Sequence, residues 1–146
     1  MAITSAICNS FKQEILEAEH NFTASTGNTF NLALYDSDAS LGASTTAYSS
    51  SEEITNTSGT AYSAKGKALT SVTPTLDSST AVCDFADVSW TSASFTARGC
   101  LIFNDSHATD ASVCAIDFGG DKTATSGTFT IQFPAAGAST AIIRIA

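Results

Sequence analysis

The sequence predicts a mainly β protein: an antiparallel β-sandwich of the jelly-roll or immunoglobulin-like type with one N-terminal α-helix. Three observations lead to this class. From Val72 onward, short apolar segments alternate with clusters of Gly, Asp and Ser, as strands alternate with turns. Apolar residues recur at helical spacing only near the N-terminus, so a parallel sheet would lack helices for its crossovers. A length of 146 residues suits one domain, residues 1–146, with one core.

The N-terminal helix is predicted over about residues 10–22. Ser10 and Gln13 form a capping-box pattern, in which each side chain hydrogen-bonds the free backbone N–H of the other residue. The apolar residues that share one face of this helix are Phe11, Ile15, Ala18 and Phe22. We expect this face to pack on a sheet or on a neighbouring subunit, which makes Phe11, Ile15 and Phe22 packing or interface candidates.

A strand and a long polar region follow the helix. Apolar residues alternate with their neighbours over residues 30–35, which predicts a strand. About residues 36–70 are rich in Ser, Thr and Gly, and we interpret them as long loops with short edge strands. The candidate exposed aromatic residues for binding a receptor or a glycan are Tyr35, Tyr48 and Tyr62.

The remaining strands are predicted at residues 81–85, 88–90, 94–103, 112–118, 128–133 and 141–145. Trp90 continues the alternation that begins at Val88, so it is predicted to lie in the core. "DFGGDK", which begins at Asp117, is interpreted as a turn after a strand, because the two glycines tolerate positive φ.

The strands at residues 94–103 and 112–118 are apolar on both faces near their centres. A sandwich strand with one solvated face would alternate more cleanly. Something must therefore cover the second face, and the sequence leaves open whether this is the N-terminal helix or a neighbouring subunit. The packing or interface candidates on these strands are Cys100, Ile102, Cys114, Ile116 and Phe118.

A hairpin turn centred on His107 would place Cys100 opposite Cys114, Leu101 opposite Val113 and Ile102 opposite Ser112. The two thiols would then lie in contact on one face, beside Ile116. In a cytoplasm they are expected to be reduced, with a disulfide as the less favoured outcome. The four cysteines form no CxxC motif, so neither a zinc site nor a redox motif is indicated.

Charge and composition exclude several classes of function. The net charge is −8, and the six Lys and Arg residues are scattered, which disfavours binding to nucleic acid or to an anionic membrane. The 21 serines and 21 threonines supply a surface that is polar through hydroxyl groups rather than charges. Neither a signal peptide nor a membrane-spanning segment is predicted, so we expect a protein made and kept in a cytoplasm.

No catalytic residue, cofactor or metal is predicted, and the chain is not expected to be an enzyme. Asp36 and Asp38 have the spacing of calcium ligands, but Asp and Ser are also ordinary turn residues, and the turn interpretation is preferred. His20 and His107 come with many serines and acids, yet no nucleophile motif places a serine.

Segments from Ser10 to Ala146 resemble small virion structural proteins of tailed bacteriophages, especially those of marine and cyanobacterial phages. The segments that carry the resemblance are "SFKQEILEAEHNF", "FNLALYDSDASLGASTTAY", "SGTAYSAKGKAL", "DFADVSWTSASFTARGCLIFN", "DFGGDKTATSGTFTIQFP" and "AIIRIA".

The resemblance implies a component of the virion that is assembled in the cytoplasm of the bacterial host. It implies a capsid decoration or cement protein that binds the assembled shell through protein–protein contacts. The expected partners are other virion proteins, the major capsid protein above all, and further copies of the chain in a homo-oligomer, with a trimer as one option. The alternative is a tail or fibre component that acts as a receptor- or glycan-binding module.

Overall fold

The computed structural model describes residues 2–54 and 61–146, and these form two antiparallel sheets and one short helix. The larger sheet has the strand order β1-β7-β6-β2-β3, and the smaller sheet has the order β4-β5-β8. The mainly β, sandwich-like class with one N-terminal helix is thus confirmed. The elements are β1 (Ala6–Ile7), α1 (Asn9–Leu16), β2 (Phe30–Tyr35), β3 (Lys67–Ala68), β4 (Ser71–Asp77), β5 (Thr80–Phe85), β6 (Val88–Asn104), β7 (Ser112–Ile131) and β8 (Ile143–Ile145).

A long hairpin of β6 and β7 forms the centre of the larger sheet. Each strand merges two segments that the sequence predicts as separate strands, because bulges rather than turns interrupt the pairing. Gly119 has a φ of 76° but lies inside β7, so the predicted turn at "DFGGDK" is wrong. Gly99 has no room for a side chain, since a Cβ there would come within 2.5 Å of the Ile116 carbonyl oxygen.

The helix is shorter than predicted, and its predicted cap is wrong. α1 ends at Leu16, and Ala18 adopts a φ of 62°, which no helix continues. Cys8 precedes the helix without a side-chain cap, and the Ser10 hydroxyl is buried without a hydrogen-bond partner in the described chain. Phe22 therefore lies beyond the helix. It stacks on Phe30 with ring centroids 4.2 Å apart.

Two clusters of buried side chains lie on opposite faces of the larger sheet. The first is the main core, and it includes Phe11, Phe22, Trp90, Cys100, Ile102 and Cys114. The second is smaller, and it includes Ile3, Ala33, Tyr35, Ala39, Leu101, Phe103 and Ala115, with Leu41 and Tyr48 packed against it. The chain itself thus covers the second face, through its N-terminus and part of its polar region. The helix packs on the main core instead, and Trp90 lies in the core as predicted.

The register of the central hairpin differs from the prediction by two residues. Cys100 pairs with Ile116, and Ile102 pairs with Cys114, instead of Cys100 with Cys114. Likewise, Leu101 pairs with Ala115. The loop is wider than a turn centred on His107, because the backbone N–H of Asn104 donates to Ala111, and the pairing shifts again next to Phe103.

The two thiols nevertheless share one face with Ile116, as expected, but they are diagonal neighbours. All four cysteines are free.

Candidate functional site

A largely apolar hollow lies between β7 and the segment that leads to β8. Its volume is about 490 Å³. The apolar side chains that define it are Cys100, Ile116, Phe118, Phe129, Ile131, Phe133 and Ile142. Cys100 is fully buried, whereas Ile116, Phe118 and Ile142 are half-buried, so the hollow opens to solvent.

The segment after β7 holds one wall of this hollow in place. The carboxylate of Asp87 accepts a hydrogen bond from the backbone N–H of Phe133 at 2.9 Å. Asp77 accepts one from the N–H of Ala138 at 2.7 Å, which ties the segment to the end of β4. The chain then enters β8, and Ile142 also lines a second hollow beside Arg144.

Lys122 contributes the one charged side chain that lines the apolar hollow. It pairs with Ala97 in the register of β6 and β7, and the pair Phe95 and Ala124 lies on the same face. This is the face that carries the main core, and the Lys122 side chain itself is exposed to solvent. Among the described residues, no ion pair or hydrogen bond involves Lys122. Its charge is therefore available to a bound anion.

The structure brings three predicted candidates together and separates the others. Cys100, Ile116 and Phe118 line the hollow. Ile102 and Cys114 lie in the core, as do Phe11 and Phe22, while Ile15 packs on it from the side. Sequence reasoning missed Lys122 and the residues after β7. The register that puts Lys122 opposite Ala97 depends on the bulge at Gly119, which no periodicity reveals.

The predicted exposed tyrosines are not an aromatic platform. Tyr35 and Tyr62 are buried, and Tyr48 is half-buried against Phe103 with ring centroids 4.8 Å apart. The reason is a buried carboxyl group, Glu53, which accepts hydrogen bonds from the hydroxyls of Tyr48 and Tyr62. A buried acceptor of this kind requires donors that approach it inside the protein.

Burial also changes the acidity of these hydroxyl groups. Desolvation and the neighbouring Glu53 raise the pKa of Tyr48 to about 12. The same causes raise the pKa of Tyr62 still further, and desolvation raises that of Tyr35. Tyr35 donates to the carbonyl of Ser49 at 2.7 Å. All three tyrosines thus serve to fix the polar region on the sheet.

Three carboxyl groups lie close together where β2 enters the polar region. Oxygen atoms of Asp36, Asp38 and Glu52 lie within 4.8 Å of one another. In the part of the chain that the structure describes, this is the one group of three or more such side chains that could hold a metal ion. Asp36 also accepts the backbone N–H of Asp38 at 2.9 Å, which is the hydrogen bond of an Asx turn. The predicted turn therefore accounts for this pair of aspartates.

The two histidines occupy a polar cluster beside the helix. Buried His20 contacts Glu14 at 2.7 Å through Nε2, and its Nδ1 lies 3.1 Å from the amide nitrogen of Asn104. The Nε2 atom of His107 lies 3.3 Å from a carboxylate oxygen of Glu19, and its Nδ1 atom accepts a hydrogen bond from the backbone N–H of Thr109. The Thr109 hydroxyl approaches the same Nδ1 at 3.0 Å. These two contacts join residues 107 and 109 of the same turn, so they stabilise the loop between β6 and β7.

A row of apolar side chains crosses the smaller sheet. Leu76 pairs with Ala81, and Ala81 pairs with Ile145, so the row includes one residue from each strand. Leu76 is 71% exposed and Ile145 is 57% exposed. Neighbouring pairs on the same face, such as Cys83 with Ile143, reach the main core instead. The row of Leu76, Ala81 and Ile145 therefore projects beyond the edge of the core.

Comparisons with known proteins identify no relative of this chain. The chain matches no protein-family model, no curated protein and no solved structure. Within residues 2–54 and 61–146, no helix has the length and apolar character that a membrane span requires.

Proposed function

We propose that the protein is a structural component of a tailed-phage virion, a capsid decoration or cement protein that binds the assembled shell. The observation that carries this proposal is the row of Leu76, Ala81 and Ile145, in which the side chains of Leu76 and Ile145 are exposed. Full burial of a Leu or Ile side chain against a partner stabilises a complex by about 1.5–3 kcal/mol. An exposed apolar row adds nothing to the stability of an isolated chain, so it favours a surface that a partner covers.

The charge distribution supports attachment to protein rather than to nucleic acid. The net charge is −8. Lys65 and Arg98, two of the few basic residues, are held in ion pairs with aspartates. Binding to DNA requires a cluster of free cations that displace counterions from phosphates. The proposal therefore includes no nucleic-acid partner, no membrane partner, no cofactor and no catalytic role.

The proposed partners are the major capsid protein and further copies of the chain. A homo-oligomer, with a trimer as one option, would present the row several times to one capsomer, and multivalent attachment raises avidity without new contacts. Assembly takes place in the bacterial cytoplasm, and the final location is the virion.

The alternative is a tail or fibre module that binds a receptor or a glycan. One observation favours it, which is the hydroxyl-rich outer face of the β6–β7 hairpin. Ser89 and Thr130 lie 2.8 Å apart through their hydroxyl oxygens, as do Thr96 and Thr123. Such a face offers donors and acceptors to sugar hydroxyl groups. It lacks the aromatic platform that the sequence suggested.

Mass spectrometry of purified particles distinguishes these functions through copy number. Hundreds of copies per particle are expected for a decoration protein. A small symmetric number would favour the tail module instead. If the protein were absent from particles, both proposals would be wrong.

A pair of variants tests the apolar row itself. The double variant Leu76→Ser and Ile145→Ser is expected to fold normally and to lose incorporation into particles. Leu16→Ser is the matched control, because Leu16 is 88% exposed on α1, far along the chain from the row. The control should assemble like the wild type. Equal incorporation of the double variant and the control would show that the row is not the contact surface.

A further inference from the structure

The apolar hollow beside Lys122 has the dimensions of a small-molecule site. Ligand pockets in proteins usually enclose roughly 300–1,000 Å³ and have apolar walls with a few polar groups. At about 490 Å³, the hollow lies within this range. Aromatic and aliphatic side chains from β7 form most of its walls. Such a lining attracts an apolar body by the hydrophobic effect and offers little to a sugar or a nucleotide.

Lys122 indicates which polar group a ligand in the hollow would carry. It is the one charged residue of the lining, and the described chain supplies no acid to neutralise it. A flexible ammonium group on an apolar face is well placed to pair with one negative charge. The chain is acidic elsewhere, so this cation is locally exceptional. Charge complementarity therefore favours a monoanion whose apolar part is buried in the hollow.

We infer that this hollow binds a single-chain amphipathic carboxylate, with the alkyl part between β7 and the segment after it and the carboxylate on Lys122. This inference does not depend on the virion assignment, because it concerns a site separate from the row of Leu76, Ala81 and Ile145. The polar side chains of Thr130 and Gln132 complete the lining.

Calorimetric titration with sodium decanoate, kept below its micelle concentration, tests the inference. Wild-type protein should bind one decanoate per chain, and neutral decanol should bind about three- to tenfold more weakly. Lys122→Gln should weaken decanoate binding by about the same factor and leave decanol binding unchanged. Lys12→Gln is the matched control, because it removes the same charge from the exposed surface of α1.

Two further measurements locate the ligand. Ile142→Trp should fill the hollow and abolish binding of both probes, and Ile131→Trp serves the same purpose if the first variant does not fold. In methyl NMR spectra, decanoate should shift Ile116, Ile131 and Ile142 and leave exposed Ile145 unchanged. Shifts confined to Ile145 would place the ligand on the apolar row and overturn the inference.

Other outcomes would overturn it as well. Absence of saturable decanoate binding would mean that the hollow does not take this ligand. Equal affinity of wild type and Lys122→Gln for decanoate would remove the role of the ammonium group. An oligomer that dissociates as decanoate is added would identify a second copy of the chain as the natural occupant. Monomers, or an oligomer that decanoate does not affect, are expected instead.

Discussion

The two halves of the β6–β7 hairpin differ both in their neighbouring strands and in the burial of their second face. The proximal half, residues 99–104 with 112–117, is next to the hairpin loop and lies between β2 and β1. It is buried on both faces except at its end, where Ile116 and Asp117 are half-buried. The distal half, residues 88–97 with 122–131, pairs only within itself. There, Phe95 and Ala97 face the core, while the intervening Thr96 is exposed. The comparison shows that the second face is buried where another segment of the chain packs over it, as over Leu101 and Phe103.

The cover of the proximal half is a segment with little regular structure. Residues 39–48 and Ile3 pack over Leu101 and Phe103. The backbone N–H of Ser112, the first residue of β7, donates to the carbonyl of Thr46 and so joins this cover to the sheet. Glu53 fixes it further through the hydroxyls of Tyr48 and Tyr62. Backbone that is not part of a ladder needs such side-chain partners if it is to lie on a sheet.

Two consecutive residues point to opposite faces of the sheet, so replacing such a pair within each half gives the strongest test of this difference. Leu101 and Ile102 are both fully buried, on opposite faces. Leu101→Ala and Ile102→Ala should therefore each lower the free energy of unfolding by about 2–5 kcal/mol.

In the distal half, the same experiment should give unequal results. Phe95→Ala should cost about 3–5 kcal/mol, whereas Thr96→Ala should change stability by about 0.5 kcal/mol or less. Urea unfolding measures all four variants. A cost below about 1 kcal/mol for Leu101→Ala would mean that residues 39–48 do not cover the sheet in solution.

Alkaline pH should destabilise the proximal half through its buried thiols. Burial raises the pKa of Cys114 from 9.0 to about 12 and that of Cys100 well above 9.0. The folded state keeps these protons while the unfolded state loses them, so stability is complete below pH 9 and falls as pH rises towards 12. For Cys114 alone, the loss between pH 8 and pH 11 should be roughly 2–3 kcal/mol.

Urea unfolding at several pH values checks this expectation. Cys114→Ala removes one of the titrating groups, so its stability should decline less steeply over the same interval. The pKa of Tyr48 is also raised to about 12, which adds a decline above pH 10 that this variant retains. If both proteins lost stability in parallel from pH 8 to pH 10, the thiol of Cys114 would not be the cause.

The cover of the proximal half should weaken when Glu53, which holds it, loses a hydrogen bond from the main-core residue Tyr62. The Tyr62 hydroxyl donates to Glu53 at 2.7 Å and accepts the N–H of Leu34 at 2.9 Å. Tyr62→Phe leaves both groups buried without this partner, which should cost about 1–3 kcal/mol. Tyr48→Phe is the control, because water can reach its half-buried position and replace the lost bond. A larger loss for Tyr48→Phe than for Tyr62→Phe would contradict this account.

The sequence predicted the inward-facing residues of the distal half better than it predicted the cover of the proximal half, for a physical reason. Alternation from Val88 to Trp90 identifies an inward face, and the structure buries Trp90 as expected. Doubly apolar segments also indicate that a second cover exists. They do not identify it, because residues 39–48 are polar or small except for Leu41 and Tyr48, and so resemble an ordinary loop.

The candidate site was predictable only in part. Cys100, Ile116 and Phe118 were singled out as apolar positions, and the structure places them together in the hollow. Lys122 was not singled out, because the face on which it lies depends on an irregularity in β7. Gly99 pairs with Asp117 and Ala97 pairs with Lys122, so four residues of β7 lie between these two pairs. The tyrosines misled for a related reason. Nothing in a polar stretch distinguishes Glu53, which accepts hydrogen bonds from Tyr48 and Tyr62, from a solvated glutamate.

The smallest effect is expected on the outer face of the distal half. Thr96 and Thr123 are directly paired, with their hydroxyl oxygens 2.8 Å apart. Both are exposed, so water can replace either hydroxyl, and Val keeps the β-branched shape that suits a strand. Thr96→Val and Thr123→Val should each change the free energy of unfolding by about 0.5 kcal/mol or less, and a double-mutant cycle should give a coupling of about 0.2–1 kcal/mol, the range for cross-strand pairs. A coupling well above this range would mean that the exposed hydroxyl groups act as a network. The distal half would then depend on its outer face as the proximal half depends on its cover.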